Sequence, residues 1–252
     1  MASPAVAWLD EVDSTSRYAR DELARLADGT LVAALAQTAG RGRRGRAWVS
    51  PPGVNLYVTF VMKGWPHPPT AATWLASLAT LDLLRQEAPG ADWWIKWPND
   101  LYCGEARKAG GILCESLAAS PGRSDILAGI GVNLNMTPEQ LAAIPVPDAR
   151  YRPTSVLAET GRTVEVKACA ADLAAGLAAL RAEAERDGIG PLFRRWRAEN
   201  RILGREVCVV TDDGRELTGT GADLAPDGAL VLADGDGRRR TFHGGDVSLR
   251  PA

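Results

Sequence analysis

Apolar residues recur along this chain at spacings that name most of its elements. Residues 30–38 are almost continuously apolar and read as a buried strand. Before that strand, Ser14 or Thr15 can cap a helix running to about Ala27, with Asp28-Gly29 as its stop. Val54 to Met62 alternates well enough for a second strand. Residues 70–88, rich in Ala and Leu, read as a helix that Pro89-Gly90 ends. Short strands are predicted over 92–97, 108–116 and 125–133. A long alanine-rich helix is predicted over about 165–186, and another over 190–200.

After about Arg201 the texture changes. Apolar stretches at 205–211, 215–221, 229–233, 238–243 and 246–249 are separated by Asp-Gly turns, the pattern of a small all-β unit. Some fifty residues hold too little core to stand alone, so this unit should dock on the larger one. The pattern thus predicts two domains, 1–201 and 202–252.

Composition narrows the classes. Of 252 residues, 46% are hydrophobic and 24% charged, which suits a folded domain and excludes global disorder. No apolar run approaches the roughly 20 residues of a membrane span, and the N-terminus has no signal-peptide pattern. The four cysteines (Cys103, Cys114, Cys169, Cys208) form no C-x-x-C pair. That argues against a structural zinc site and fits a reduced cytoplasm.

Charge becomes informative locally. The formal net charge is only -2, yet residues 40–46 read Gly-Arg-Gly-Arg-Arg-Gly-Arg. Such a concentration points to one bound anion rather than a broad polyanion-binding face. Arginine supplies a planar fork for phosphate or carboxylate, and glycine lets backbone approach a ligand. The stretch formally matches G-x-G-x-x-G, but Pro51-Pro52-Gly53 follows where a dinucleotide site needs a helix. A solvated arginine loop and a nucleic-acid patch are the other readings. Three further segments carry polar residues of interest. They are Asp13-Ser14-Thr15-Ser16 at a helix start, Lys96-Trp97-Pro98-Asn99-Asp100, and Gly129-Ile130-Gly131-Val132-Asn133. Their plain readings are a helix cap, a turn between solvated charges, and a core strand with glycines for tight packing.

Together these segments resemble the biotin–protein ligase family. The resemblance rests on Gly-Arg-Gly-Arg-Arg-Gly-Arg-x-Trp (40–48), Ser-Pro-Pro-Gly-x-Asn-Leu-Tyr (50–57), Lys-Trp-Pro-Asn-Asp-Leu (96–101), Lys-x-Gly-Gly-Ile-Leu (108–113) and Gly-x-Gly-x-Asn (129–133), in family order over roughly residues 8–250. It implies an α+β fold, a mixed β-sheet with helices akin to class II aminoacyl-tRNA synthetases, plus a small SH3-like β-barrel. It implies two steps: biotin and MgATP give biotinyl-5′-adenylate and pyrophosphate, then a lysine of a biotin carboxyl carrier domain of an acyl-CoA carboxylase takes the biotin. Lys108, Arg41 and Asp100 would be catalytic. Ser14, Thr15, Ser16 and Gln37 would hold biotin, with Gly40, Arg41, Gly42, Arg43, Lys108 and Gly110. Ser16 departs from the usual family Asn. Arg41, Arg43, Arg44, Trp48, Asn99, Lys108 and Asn133 would meet ATP or the adenylate. Asp100 would either hold Mg2+ or orient the incoming lysine. The resemblance further implies a cytoplasmic monomer or weak homodimer. The family's repressors carry an N-terminal DNA-binding domain, and with the family core starting near Trp8 neither DNA binding nor repression is expected. The alternatives are a lipoate-type ligase, a non-catalytic biotin binder and an RNA-binding protein.

Overall fold

The hydropathy pattern leaves Val6–Val12 unassigned, and this segment forms the first edge strand, β1. The computed structural model describes residues 5–146, 152–211 and 214–249. After β1 come α1 (Thr15–Asp21), β2 (Leu31–Gln37), a single 3₁₀ turn (Arg43–Gly45), β3 (Leu56–Trp65) and α2 (Pro69–Glu87). Then follow β4 (Trp93–Lys96), β5 (Asp100–Cys103), β6 (Arg107–Ser120), β7 (Arg123–Val132), α3 (Pro138–Ala142) and β8 (Arg152–Pro153). The short α4 (Val156–Thr160) precedes α5 (Val166–Asp187) and α6 (Gly190–Ala198). The last part holds β9 (Glu206–Val210), β10 (Glu216–Leu224), β11 (Leu230–Ala233), β12 (Arg239–Phe242) and β13 (Asp246–Leu249).

Eight strands form a mixed sheet in the order β1-β2-β3-β7-β6-β5-β4, with β8 paired to β6. The β1–β2 and β6–β8 pairs are parallel and the rest antiparallel. Residue alternation sorts the two faces of β7. Ile126, Ala128 and Val132 enter the core with Leu75 and Leu78 of α2. Leu127 turns the other way, into a small cluster with Ala19, Val32 and Val61 that α1 covers. Gly129 and Gly131 share that second face and leave it bare.

The first helix is shorter than the pattern predicts. Beyond Asp21 the chain tightens into turns, with Leu23 N–H donating to the Arg20 carbonyl at 3.3 Å and Arg25 N–H to that of Glu22 at 2.8 Å. These turns lay Leu23 and Leu26 on the small cluster. The predicted 92–97 strand pairs with an unpredicted one, β5, in a tight hairpin.

The C-terminal strands form an antiparallel sheet in the order β12-β11-β10-β9-β13, the sheet expected of an SH3-like unit. Its apolar residues join the main core, where Ile202, Val207 and Leu230 cluster with Trp74, Trp97 and Trp196. Trp97 Nε1 donates to the Gly228 carbonyl at 2.8 Å across the junction. No helix among the described residues is long and apolar enough to cross a bilayer.

Candidate active site

The bare face of β7 becomes the floor of a cleft of about 490 Å³. Its walls come from the start of α1, the end of β2, the loop after it, and the β4–β5 hairpin with β6. A Cβ on Gly131 would come within 2.5 Å of Trp48 Cε2, and one on Gly129 within 2.6 Å of Ser16 Oγ. The two glycines thus admit an indole on one side and the start of α1 on the other.

One end of the cleft is cationic. Arg41, Arg43, Arg46, Lys96 and Lys108 line it, and Asp100 is the one acidic side chain among its lining residues. Lys108 Nζ lies 2.7 Å from Asp100 Oδ1, and Lys96 Nζ lies 3.4 Å from Oδ2. All three are largely buried. Burial pushes the Asp100 carboxyl up, but the charges of Lys108 and Lys96 outweigh it and hold the group below the usual carboxylate range. Lys108 Nζ also sits 5.6 Å from the centre of the Trp48 ring, on a cation–π contact.

A backbone irregularity creates this grouping. The β5–β6 register shifts at Leu101/Tyr102, so Leu101 faces Gly110 but Tyr102 faces Lys108. The bulge adds one residue and breaks strict alternation. Lys108 and Gly111 therefore both reach the cleft.

The other end is uncharged and polar. Thr15 N–H donates to Gln37 Oε1 at 2.9 Å, and the Thr15 hydroxyl donates to the same oxygen at 3.3 Å. Thr59 Oγ1 donates to Thr15 Oγ1 at 2.9 Å and lies 3.0 Å from Ser16 Oγ. Gln37 Nε2 donates to Ser50 Oγ, which donates to the Trp48 carbonyl. Ser14 stands at the N-cap of α1, but its side chain caps nothing.

The arginine stretch closes into a hairpin between these ends. Trp48 N–H donates to the Gly40 carbonyl at 2.9 Å, Arg41 bridges to Ala47, and Gly42 N–H donates to the Arg46 carbonyl at 2.7 Å. Its tip turns through Arg44 (φ 55°) and Gly45 (φ 72°), both left-handed. Arg43 Nη1 reaches back to donate to Asn99 Oδ1 at 3.1 Å.

This arrangement has relatives. Residues 8–135 match the biotin/lipoate A/B protein ligase family. The chain belongs to that family. Residues 202–250 match the biotin protein ligase C-terminal domain, so it has the two-part build of the biotin protein ligases. The chain is 35% identical over 234 residues to the biotin–[acetyl-CoA-carboxylase] ligase of Paracoccus denitrificans, covering 92% of this chain and 95% of that one. It is 34% identical over 251 residues to the bifunctional ligase/repressor BirA of Salmonella typhimurium, covering 98% of this chain and 75% of that one. The biotin protein ligase of Aquifex aeolicus in complex with biotin and ATP has the same fold. It superposes with a TM-score of 0.80 at 24% identity, over 98% of this chain and 99% of that one.

Within this ligase fold, Ser14, Thr15, Ser16, Gln37, Arg41, Gly42, Arg43, Trp48, Asn99, Asp100, Lys108 and Asn133 all line the one cleft. Gly40, Gly110 and Arg44 do not. A Cβ on Gly110 would meet the Gly131 carbonyl at 2.9 Å and Leu101 and Val132 beyond it, on the core side; Gly111 faces the cleft instead. Gly40 pinches the loop's base, where a Cβ would meet the Trp48 carbonyl at 2.6 Å. Arg44 points away, with Nη1 3.5 Å from the Val210 carbonyl of β9. The Gly42 N–H itself is engaged inside the loop hairpin, with the Arg46 carbonyl.

Lys96 is the main residue that sequence reasoning misses. Its plain reading as a solvated charge is wrong, because it is only 6% exposed. A lysine preceding Trp-Pro-Asn-Asp four residues from the aspartate was the available signal. Gly245 and Val247 of the C-terminal sheet also reach the cleft and had none.

Magnesium does not fit Asp100. Both carboxylate oxygens face ammonium groups, and a third cation there would meet two like charges. Among the described residues no group of three or more His, Cys, Asp or Glu is placed to hold a metal.

Proposed function

We propose that this chain is an ATP-dependent biotin–protein ligase that makes biotinyl-5′-adenylate and passes biotin to a lysine of a biotin carboxyl carrier domain. One observation carries the reading: a single cleft has a polar, uncharged end and a cationic end, joined along glycine-floored β7. Biotin has that form, a ureido ring at one end and a carboxylate at the other. The hydroxyls of Ser14, Thr15 and Ser16 and the amide of Gln37 would meet the ureido group. Lys108, Arg41 and Arg43 would meet the carboxylate and the α-phosphate.

The chemistry needs that cationic end. A carboxylate oxygen must attack the α-phosphorus of ATP, and both partners are anionic. Fixed positive groups offset the repulsion and stabilise the charge that develops as pyrophosphate leaves. Asp100 positions Lys108 and keeps it charged. Trp48, whose buried indole N–H has no partner among the described residues, would pack against the adenine. Asn133 would border the nucleotide, although its amide is already engaged with Asn55 and the Thr154 carbonyl. Asn99 and Arg43 would border the adenylate. Magnesium would arrive with the nucleotide's phosphates rather than on Asp100. Free cysteines support a reducing, cytoplasmic setting.

Lipoate offers no hydrogen-bonding edge at its ring, so it would leave the polar end poorly matched. Sites of that kind reject such an analogue by about 10⁴-fold. The test is transfer to a purified carrier domain with ATP and magnesium, with biotin and lipoate in parallel. Avidin-detectable label that needs ATP, with no lipoylation, is the expected result. Absence of label and of biotin-dependent pyrophosphate release would overturn the proposal.

A further inference from the structure

A second cleft, of about 200 Å³, opens beside the first. Arg43, Pro98, Asn99, Ile112 and Leu113 line both, so they form the partition between them. The other walls of the second cleft are of a different character. Trp74, Trp97 and Trp196 line it at the junction of the two sheets. The Trp74 and Trp196 rings stack at 5.5 Å. Gly228 is pressed against them, since a Cβ there would come within 2.8 Å of Trp74 Cζ2. The Trp196 indole N–H is buried without a partner among the described residues. Asp227 and His243, both exposed, line the cleft too, with Nδ1 of His243 3.5 Å from Oδ2 of Asp227.

Apart from Arg43 and Asn99 at the partition, none of the residues assigned above to biotin or ATP lines this cleft. The transfer step has a third participant, an amine that must reach the acyl carbon of the adenylate. We propose that the second cleft is the acceptor site: it receives the carrier's lysine side chain and leads its Nζ past Asn99 into the first cleft. This inference rests on the ligase reading above.

The lining suits a lysine. Its four-carbon stem can lie along apolar indole surface while its charged head stays near water or a carboxylate. Asp227 supplies that carboxylate at an exposed position. Asp227 and the indole faces draw the ammonium in, and burial beyond them, at the partition near Asn99, favours the neutral amine that acts as nucleophile. The step then balances. The amine nitrogen forms a C–N bond to the acyl carbon, the bond from that carbon to the phosphate oxygen breaks, and AMP leaves with its electron pair. The two protons that the ammonium gives up go to water. Cys114 also lines the cleft, but burial pushes its thiol up to about 11, so it stays protonated and is no rival nucleophile.

Thr73, a half-buried position on α2, lines the second cleft and not the first. Thr73→Trp should fill the route. On the full chain, biotin-dependent pyrophosphate release should stay within about twofold, while transfer from preformed adenylate to the carrier domain falls about 10²-fold. Unchanged transfer, or an equal fall in both half-reactions, would overturn the inference. Should that variant fold poorly, Asp227→Asn at an exposed site gives a second reading. It should raise KM for the carrier about threefold at constant kcat. An unchanged KM would count against the acceptor site. A parent protein with no biotin-dependent pyrophosphate release would instead sink the ligase reading itself.

Discussion

Lys96, Asp100 and Lys108 form a buried group of two cations around one anion, and its behaviour follows from that imbalance. Removing the carboxylate leaves two ammonium groups facing each other out of water. Asp100→Asn should therefore destabilise the protein by about 3–5 kcal/mol, read from urea unfolding. The pH dependence has a definite sign. The folded-state pKa of Asp100 lies below its unfolded value, so its contribution is fully present above about pH 4 and is lost as pH falls through the folded value. The stability gap between parent and Asp100→Asn should be constant above that pH and narrow below it. A gap that widened on acidification would contradict the assignment. Lys108→Ala should act differently, since Asp100 keeps Lys96 as a partner. We expect pyrophosphate release to fall about 10²- to 10³-fold with a much smaller loss of stability.

Strand β7 shows how one element divides its labour. Its even-numbered residues fill the core under α2, and its glycines at 129 and 131 make room on the other face for Ser16 and Trp48. Gly131→Ala would push the Trp48 indole off the floor. ATP binding should weaken by about tenfold, the cost of losing one base-stacking contact, with biotin binding less affected. Titration of each ligand separately checks this, and equal loss for both would show a general collapse of the cleft. Strand β6 contributes through its bulge, which turns Lys108 toward Asp100. The arginine loop contributes through its own hairpin bonds, so its cations are carried on a closed frame.

The two sheets share one apolar core, and this sets how the protein unfolds. Besides the tryptophan cluster, Trp97 Nε1 donates to the Gly228 carbonyl at 2.8 Å, and Arg197 pairs with Asp223 at 2.7 Å. The exposed ion pair adds little; the buried indoles, each covering roughly 150–250 Å², add much more. Calorimetry of the whole chain should give one cooperative transition, with equal calorimetric and van't Hoff enthalpies. A chain cut after Arg201 would expose Trp74, Trp97 and Trp196 and should aggregate rather than fold. Two separated transitions, or a well-folded 1–201 fragment, would show that the proposed domains 1–201 and 202–252 are independent.

Local pattern alone reached far into this protein. The long helices α2 and α5, the strands β2, β3, β4, β6 and β7 and those of the C-terminal sheet were legible because their apolar spacing is set by the faces they bury. The cleft residues were legible through motifs, since glycines and arginines in the 40–46 stretch have few other reasons to lie so close. Other features depended on contacts between distant segments. Strand β1 is an edge strand, half-buried and weakly patterned. The end of α1 was decided by the patch that Leu23 and Leu26 cover. The exchange of Gly110 for Gly111, and the joining of Lys108 to Asp100, came from a bulge that no periodicity encodes. Lys96 looked solvated because a lysine beside a turn usually is; only the folded hairpin buried it against a carboxylate. The second cleft, assembled from α2, the β4–β5 turn and the C-terminal sheet, has no signature in any one of them, because its walls meet only when the two sheets share their core.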